Sequence, residues 1–111
     1  MVDVFEKEYR KLFGKSKSTY LAELEQLAVN LELLDVQGTR ALEQEQFHAI
    51  GGHSPLYSIR HISTANPRVL FVFTETEDAV VLLSCTLEKS KNDYDSAINR
   101  AETRLHLLEE E

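Results

Sequence analysis

The chain of 111 residues is poor in cysteine and has no long apolar run. Its one cysteine, Cys85, excludes an internal disulfide framework and a cage of thiolate metal ligands, and it suits a reducing compartment. No stretch approaches the roughly 20 apolar residues needed to cross a bilayer, and the N-terminus is charged and amphipathic rather than typical of a signal peptide. We therefore expect a cytoplasmic protein with no membrane partner.

Basic residues are also scarce, because 12 Lys and Arg face 19 Asp and Glu, for a net charge of −7. This balance argues against nonspecific adhesion to nucleic acid, which is driven by phosphate neutralisation and counterion release. The charges are unevenly spread, however. Residues 51–74 contain Arg60 and Arg68 but no acid, whereas residues 75–88 contain acids and no base. The sequence therefore has a small positive island in an acidic chain.

The hydrophobic fraction of 42% is enough for one core, and the length suits a single domain over residues 1–111. Apolar residues at helical spacing predict a short helix from Asp3 to Gly14 and a longer one ending at Gly38. Between residues 36 and 54 no clear period appears, although residues 44–50 could form a short strand.

Three β-branched and aromatic runs follow, over residues 56–62, 68–74 and 79–86. Hairpin-length links between them predict an antiparallel meander, and the second and third runs are apolar on both alternations, so a helix must cover them. A last helix capped by Asn92 completes the pattern. We expect an α+β fold in which an N-terminal helical hairpin packs on a small antiparallel sheet of three to four strands, with the C-terminal helix at its side.

The common catalytic motifs are absent, including a phosphate-binding glycine loop, HExxH, CxxC and GxSxG. The four histidines have no ligand-like spacing, so we expect neither a metal nor a small-molecule cofactor. Cys85 ends an apolar strand with no obvious base beside it, which favours an inert packed thiol.

Three cations remain as candidate site residues: Arg60, Arg68 and Lys89. Because neighbouring strands of a meander run in opposite directions, these positions converge at one end of the predicted sheet, and His53, Tyr57 and His61 come from the same edge region. One interpretation is ordinary surface bases that flank strands. The other is a phosphate site, where converging cations stabilise the charge that builds on a phosphodiester during 2′-hydroxyl attack while a His, Lys or Tyr moves the protons.

The strand segments also carry a family resemblance. They read PLYSIR at 55–60, PRVLFVF at 67–73 and AVVLL at 79–83. In order and spacing they resemble the phage-derived HigB-like branch of the RelE/ParE toxin superfamily, which typically shows an LYELR-like strand, a YRVLFFF-like strand and an IVLLHGFxKK-like strand before a C-terminal helix. The resemblance covers about half of the chain well, through Lys89 and part of the last helix.

The resemblance implies a RelE-like α+β toxin that is held by an antitoxin protein. Ribonuclease members of the family cut messenger RNA, usually in the ribosomal A site, without a metal. Arg60, Arg68 and Lys89 match the family's arginine of the first motif, arginine of the second and second lysine of the third, which makes them the candidate catalytic residues. The chain departs from the pattern at Ser84-Cys85, where the family has His-Gly, and at Glu88, where it has the first lysine; Asp93-Tyr94 replaces a frequent Thr-Pro.

Three functional hypotheses therefore stand. The first is a toxin component that acts as a metal-independent, ribosome-associated mRNA endoribonuclease. The second is a noncatalytic RelE-like binding module that keeps the fold and the partner surface, and the overall acidity and Glu88 favour it. The third is a phage-type regulatory protein that dimerises through a sheet edge.

Overall fold

The computed structural model describes residues 3–60, 66–76, 79–87 and 89–109. Within these ranges the chain is α+β, as predicted, with helices on both sides of an antiparallel sheet. The elements, in chain order, are α1 (Asp3–Leu12), α2 (Lys17–Gln37), a 3-10 segment (Gly38–Glu43), β1 (Phe47–Ala49), β2 (Tyr57–Arg60), β3 (Pro67–Phe73), β4 (Val80–Leu87) and α3 (Lys91–Glu109).

Local sequence signals set the ends of α2. The Ser16 side chain accepts a hydrogen bond from the Thr19 backbone N–H at 3.4 Å, which satisfies one of the free N–H groups of the first turn. At the other end Gly38 adopts φ 58° and ψ −137°, a conformation that side chains disfavour, and its N–H donates to the Leu34 carbonyl. The two predicted helices are therefore confirmed, with α1 ending two residues before Gly14 and α2 ending one residue before Gly38, although α2 begins at Lys17, inside the stretch 16–19 that the sequence suggests as a link.

The sheet is a four-stranded antiparallel meander in the order β1-β2-β3-β4. The short strand that residues 44–50 suggested is β1, and it forms one edge. In the β2–β3 register Tyr57 lies opposite Phe71, and Arg60 lies opposite Arg68. The meander thus brings the end of β2 beside the start of β3.

Both faces of the sheet are covered. Val69 and Phe71 pack against the α1–α2 hairpin, while Leu70 and Val72 pack against α3 on the opposite face. The expectation that α3 lies at the side of the sheet is made more specific: α3 packs on the face opposite the hairpin, mainly against β4. Because β3 is apolar on both alternations, each face needs a helix, and α3 supplies the second one.

A bulge in β4 adjusts this second face. Leu70 pairs with Ser84 but Phe71 pairs with Leu82, so Leu83 is an extra residue. Leu83 packs in the α3 cluster, and the Ser84 hydroxyl donates to the Ala97 carbonyl at 2.7 Å. The bulge therefore turns two successive residues of β4 towards α3.

Arginines from α3 cover the outer edge of β4. Arg100 donates to the Cys85 carbonyl at 3.0 Å and Arg104 donates to the Leu83 carbonyl at 2.7 Å. Both arginines also form ion pairs with Glu8 of α1. Carbonyls that an added strand would use are thus occupied by side chains, which is one way in which proteins protect sheet edges.

Helix α3 begins one residue before Asn92, the predicted cap. The Ser90 hydroxyl accepts a hydrogen bond from the Asp93 backbone N–H at 3.3 Å and so caps the first turn. The prediction that Asn92 caps the helix is therefore wrong, and Ser90 is the cap. The earlier start places Lys91 in the first turn, and the beginning of the helix lies at the Arg60 end of the sheet.

Candidate functional site

An open cleft of about 680 Å³ lies where β2 ends, β3 begins and the chain passes from β4 into α3. Arg60, Arg68 and Lys89, the three site residues predicted from the sequence, all line it. Their convergence follows from the meander, since the end of β2, the start of β3 and the end of β4 meet at one end of the sheet. The full lining is Arg60, Asn66, Arg68, Lys89, Ser90, Lys91 and Tyr94.

Arg60 and Arg68 are directly opposed across β2 and β3. They therefore share a face of the sheet, the face that α3 covers, and opposed residues have Cβ atoms roughly 5 Å apart. The backbone of Arg60 is also held from its other side, because its N–H donates to the Gln46 carbonyl at 2.8 Å. The pairing of β2 with β3 thus fixes how far apart the two side chains leave the backbone.

An aromatic ring supports one of these groups. The Arg68 guanidinium carbon lies 4.6 Å from the centroid of the Tyr94 ring, which the first turns of α3 bring to the cleft. A cation over a tyrosine face at this distance is attracted by the ring quadrupole, typically by about 0.5–2 kcal/mol. Tyr94 therefore restricts where Arg68 points. A looser pair of the same kind, Arg10 over Tyr20 at 5.9 Å, lies elsewhere.

Two lysines complete the positive lining. Lys89 and Lys91 are exposed and flank Ser90 at the start of α3. The positive end of a helix dipole adds to such a field within the first turn. At the described positions the cleft is lined by four bases and no carboxylate. Glu88 and His61, which the sequence places near this end, lie outside the described residues.

Two of the residues that the sequence placed in the same edge region do not reach the cleft. His53 instead bonds through Nδ1 to the Glu102 carboxylate of α3, and the Tyr57 ring stacks on Phe71 with centroids 5.7 Å apart. Tyr57 begins β2 whereas Arg60 ends it, so roughly 10 Å separates them, and their side chains lie on opposite faces. Besides the two arginines, the ionisable side chains described in the cleft are Lys89, Lys91 and Tyr94.

Sequence reasoning missed four lining residues: Asn66, Ser90, Lys91 and Tyr94. Asn66 immediately precedes β3 and has φ 47°, a left-handed conformation that asparagine tolerates better than most residues. Tyr94 falls at an apolar position of the helical spacing of α3, where it is only partly buried. Their positions in the sequence could have indicated them, because each lies just before β3 or at the start of α3, at the end of the sheet where the arginines lie.

Cys85 is a buried thiol on the opposite side of β4 from the cleft, within the cluster under the helical hairpin. Burial raises the pKa of Cys85 from its ordinary value of 9.0 to about 12; Glu8 also raises this pKa, and Arg100 and Arg104 lower it. The thiol thus stays protonated and inert near neutral pH, as expected.

This thiol predicts a stability change in alkali. The unfolded chain releases the proton near pH 9 and the folded chain retains it until about pH 12, so the free energy of unfolding should fall as the pH rises through this window. The slope contributed is at most about 1.4 kcal/mol per pH unit. Urea titrations at several pH values should show a shallower decline for Cys85→Ala than for the parent, and equal slopes would contradict the prediction. Burial raises the pKa of Tyr9 as well. The free energy of unfolding of both the parent and Cys85→Ala should therefore still fall at higher pH.

Two broader features bear on function. No helix over the described ranges is long and apolar enough to cross a membrane. Among the described residues, no group of three or more His, Cys, Asp or Glu side chains is placed to hold a metal ion. In comparisons with known proteins, no family model, curated protein or solved structure matches the chain.

Proposed function

We propose that the cationic cleft binds a phosphate of the RNA backbone and that the protein is a RelE/HigB-like toxin, a metal-independent endoribonuclease acting on translated messenger RNA. The observation that carries the proposal is the direct opposition of Arg60 and Arg68 in one cleft with Lys89. Planar guanidinium groups match the geometry of phosphate oxygens. An acidic chain with a concentrated positive cleft also suits selective binding rather than general adhesion to nucleic acid.

The proposed chemistry requires the cleft to stabilise a phosphodiester as negative charge builds on it. Donors that are already in place are effective at this because they need no reorganisation during the reaction, and removal of one such donor typically slows catalysis by about 100- to 1,000-fold. Arg60 is held by its strand, through the hydrogen bond from its N–H to the Gln46 carbonyl, and Arg68 by its strand and by Tyr94. Lys89, Lys91 and Tyr94 are the described groups that could move a proton at the 2′-hydroxyl or at the leaving oxygen.

A noncatalytic RNA-binding module is the second candidate, and the composition of the cleft favours it. The described lining offers no imidazole and no carboxylate, the groups that most often act as general bases in enzymes. A cleft with cations and an aromatic ring but no such base is sufficient for binding a phosphate. In this candidate the fold and the cleft are used to hold RNA or a ribosomal surface without cutting it.

A cell-free translation assay separates the two candidates. Purified protein is added during translation of a defined message, and new RNA ends are mapped by primer extension. The toxin proposal expects new ends within the translated region, and it expects the Arg60→Ala, Arg68→Ala double variant to produce none. Retention of the protein on ribosomes or message without new ends would favour the noncatalytic module. If the protein neither binds nor cuts RNA, both candidates are wrong, because both assume that the cleft binds RNA.

A toxin of this kind should have a tight protein partner. We propose an antitoxin that covers the Arg60–Arg68–Lys89 region or wedges against α3, since such partners commonly add a helix or strand to a groove or edge. Affinity purification from the native host should recover a small protein in stoichiometric amount. Recovery of the chain alone at native expression would count against the toxin assignment.

Tyr94 should act as a positioning residue for Arg68. Tyr94→Leu removes the ring and should weaken binding of a short single-stranded RNA by several-fold, because the guanidinium loses its fixed direction. Tyr94→Phe keeps the ring and should bind within about twofold of the parent. Tyr20→Leu, beneath Arg10, is a control for the general loss of an arginine–tyrosine pair. Equal weakening by Phe and Leu at position 94 would show that the hydroxyl, not the ring, is the group that matters.

A further inference from the structure

The outward face of α2 carries an unusual row of apolar side chains. Leu21, Val29 and Val36 are 50%, 53% and 77% exposed, respectively, and they account for all the large hydrophobic residues of α2 that are classed as exposed. Their spacings of eight and seven residues are close to two helical turns, so all three lie on one side of the helix, with the exposed Ala28 between them. The row extends for about 22 Å.

This face has no role in the core of the chain. The buried side of α2 is formed by Glu23, Leu27, Asn30 and Leu34, and the partly buried Leu24 and Leu31 also pack inwards. Isolated exposed apolar residues are ordinary on protein surfaces. A row of them along four turns of one helix is instead the pattern by which amphipathic helices recognise each other.

Acidic residues are interleaved with the apolar ones. Glu25 and Glu32 are exposed, are seven residues apart, and lie between Leu21, Val29 and Val36 on the same side of the helix. No lysine or arginine occurs from residue 18 to residue 39. The row therefore alternates apolar and negative positions, and the one base of α2, Lys17, lies before the first of them.

We propose that this row docks an amphipathic helix of a partner protein that carries lysine or arginine at seven-residue spacing between apolar residues. Opposite charges at matching intervals would fix the register, and the apolar positions would supply the buried contact. A second copy of the chain is a poor occupant, because pairing two such rows sets Glu25 and Glu32 against carboxylates. The row lies on the hairpin side of the sheet and the cationic cleft opens on the α3 side, so the inference does not depend on the proposed function.

A designed peptide is the probe for this surface. It is a helical peptide of about three heptads with leucine on one face and one lysine per heptad within that face, and a matched peptide carries glutamate in place of lysine. Fluorescence anisotropy at low and moderate salt should show binding of the lysine peptide and none of the glutamate peptide. NMR spectra should place the shifted amide signals in α2.

Paired variants decide whether the row itself is responsible. The double variant Val29→Ser, Val36→Ser should weaken binding of the lysine peptide by at least about tenfold. The double variant Glu25→Gln, Glu32→Gln should weaken this binding by a similar factor and should also reduce its salt dependence. Glu43→Gln with Glu45→Gln removes two exposed acids outside the row and should change the affinity less than about twofold. Equal weakening by the two acidic pairs, or unchanged binding by the valine pair, would overturn the proposal. Sedimentation that shows a dimer of the parent chain and a monomer of the valine pair would also overturn it, in favour of a second copy.

Discussion

We expect the Arg60→Ala, Arg68→Ala double variant to abolish growth arrest on induced expression while remaining folded. The two arginines are opposed across the β2–β3 ladder in the cationic cleft, where we place the reacting phosphodiester. Loss of one fixed donor typically costs about 100- to 1,000-fold in rate, so loss of two should leave no measurable cleavage. Loss of each partly exposed cation, the Arg68–Tyr94 contact included, should cost at most about 2 kcal/mol of stability. Colony counts after induction and thermal melts of the purified variant measure the two effects separately.

Matched variants distinguish the cleft from general charge. Arg10→Ala with Arg40→Ala removes two exposed arginines outside the cleft and should leave growth arrest unchanged. Arg68→Lys should recover only part of the activity, because an ammonium cannot bind two phosphate oxygens in the planar fork that a guanidinium provides. A double cleft variant that is as toxic as the parent would end the toxin proposal for this site.

The largest effects on stability should come from truncation of the central strand on either face. Phe71 and Leu70 are fully buried neighbours in β3, yet Phe71 packs under the α1–α2 hairpin and Leu70 packs under α3. Phe71→Ala should cost about 3–5 kcal/mol and Leu70→Ala about 2–5 kcal/mol. Either loss is a large fraction of the roughly 5–15 kcal/mol that stabilises an ordinary domain.

Urea unfolding of both variants checks this prediction. Val36→Ala serves as the control, since Val36 is 77% exposed on α2 and should change the free energy of unfolding by less than about 0.5 kcal/mol. A Leu70→Ala variant as stable as the parent would show that α3 does not cover its face of the sheet. The comparison therefore tests the two-sided packing directly.

Most of the elements could be predicted because their local signals were strong. Ser16 begins α2 because its hydroxyl accepts a hydrogen bond from a free N–H group of the first turn. Gly38 ends α2 because a residue without a side chain readily adopts the backbone conformation found there. The apolar runs of β3 and β4 predicted both the strands and the need for a helix that covers them. The convergence of Arg60, Arg68 and Lys89 also followed from the sequence, since strand order in a meander determines which strand ends are adjacent.

Long-range packing explains what the sequence did not show. The position of α3 depends on which face of the sheet the α1–α2 hairpin leaves open, and no local pattern records that choice. Tyr94 fits the apolar spacing of α3, so the sequence indicates only that it packs against the core. Its contact with the Arg68 guanidinium could not be predicted from that spacing. His53 and Glu102 are 49 positions apart in the sequence, and no local pattern around either residue predicts that they bond to each other.

The most direct test of the central claim is an NMR titration of the arginine side chains with a short single-stranded RNA whose 2′-hydroxyl groups are methylated to prevent cleavage. We expect weak, fast-exchange binding in which the Nε–Hε signals of Arg60 and Arg68 shift and saturate together while those of Arg10 and Arg40 stay in place. The shifts should shrink as salt is raised, because phosphate contacts release counterions. Uniform small shifts of all the arginine signals, or no shift of Arg60 and Arg68, would contradict the assignment of this cleft as an RNA phosphate site.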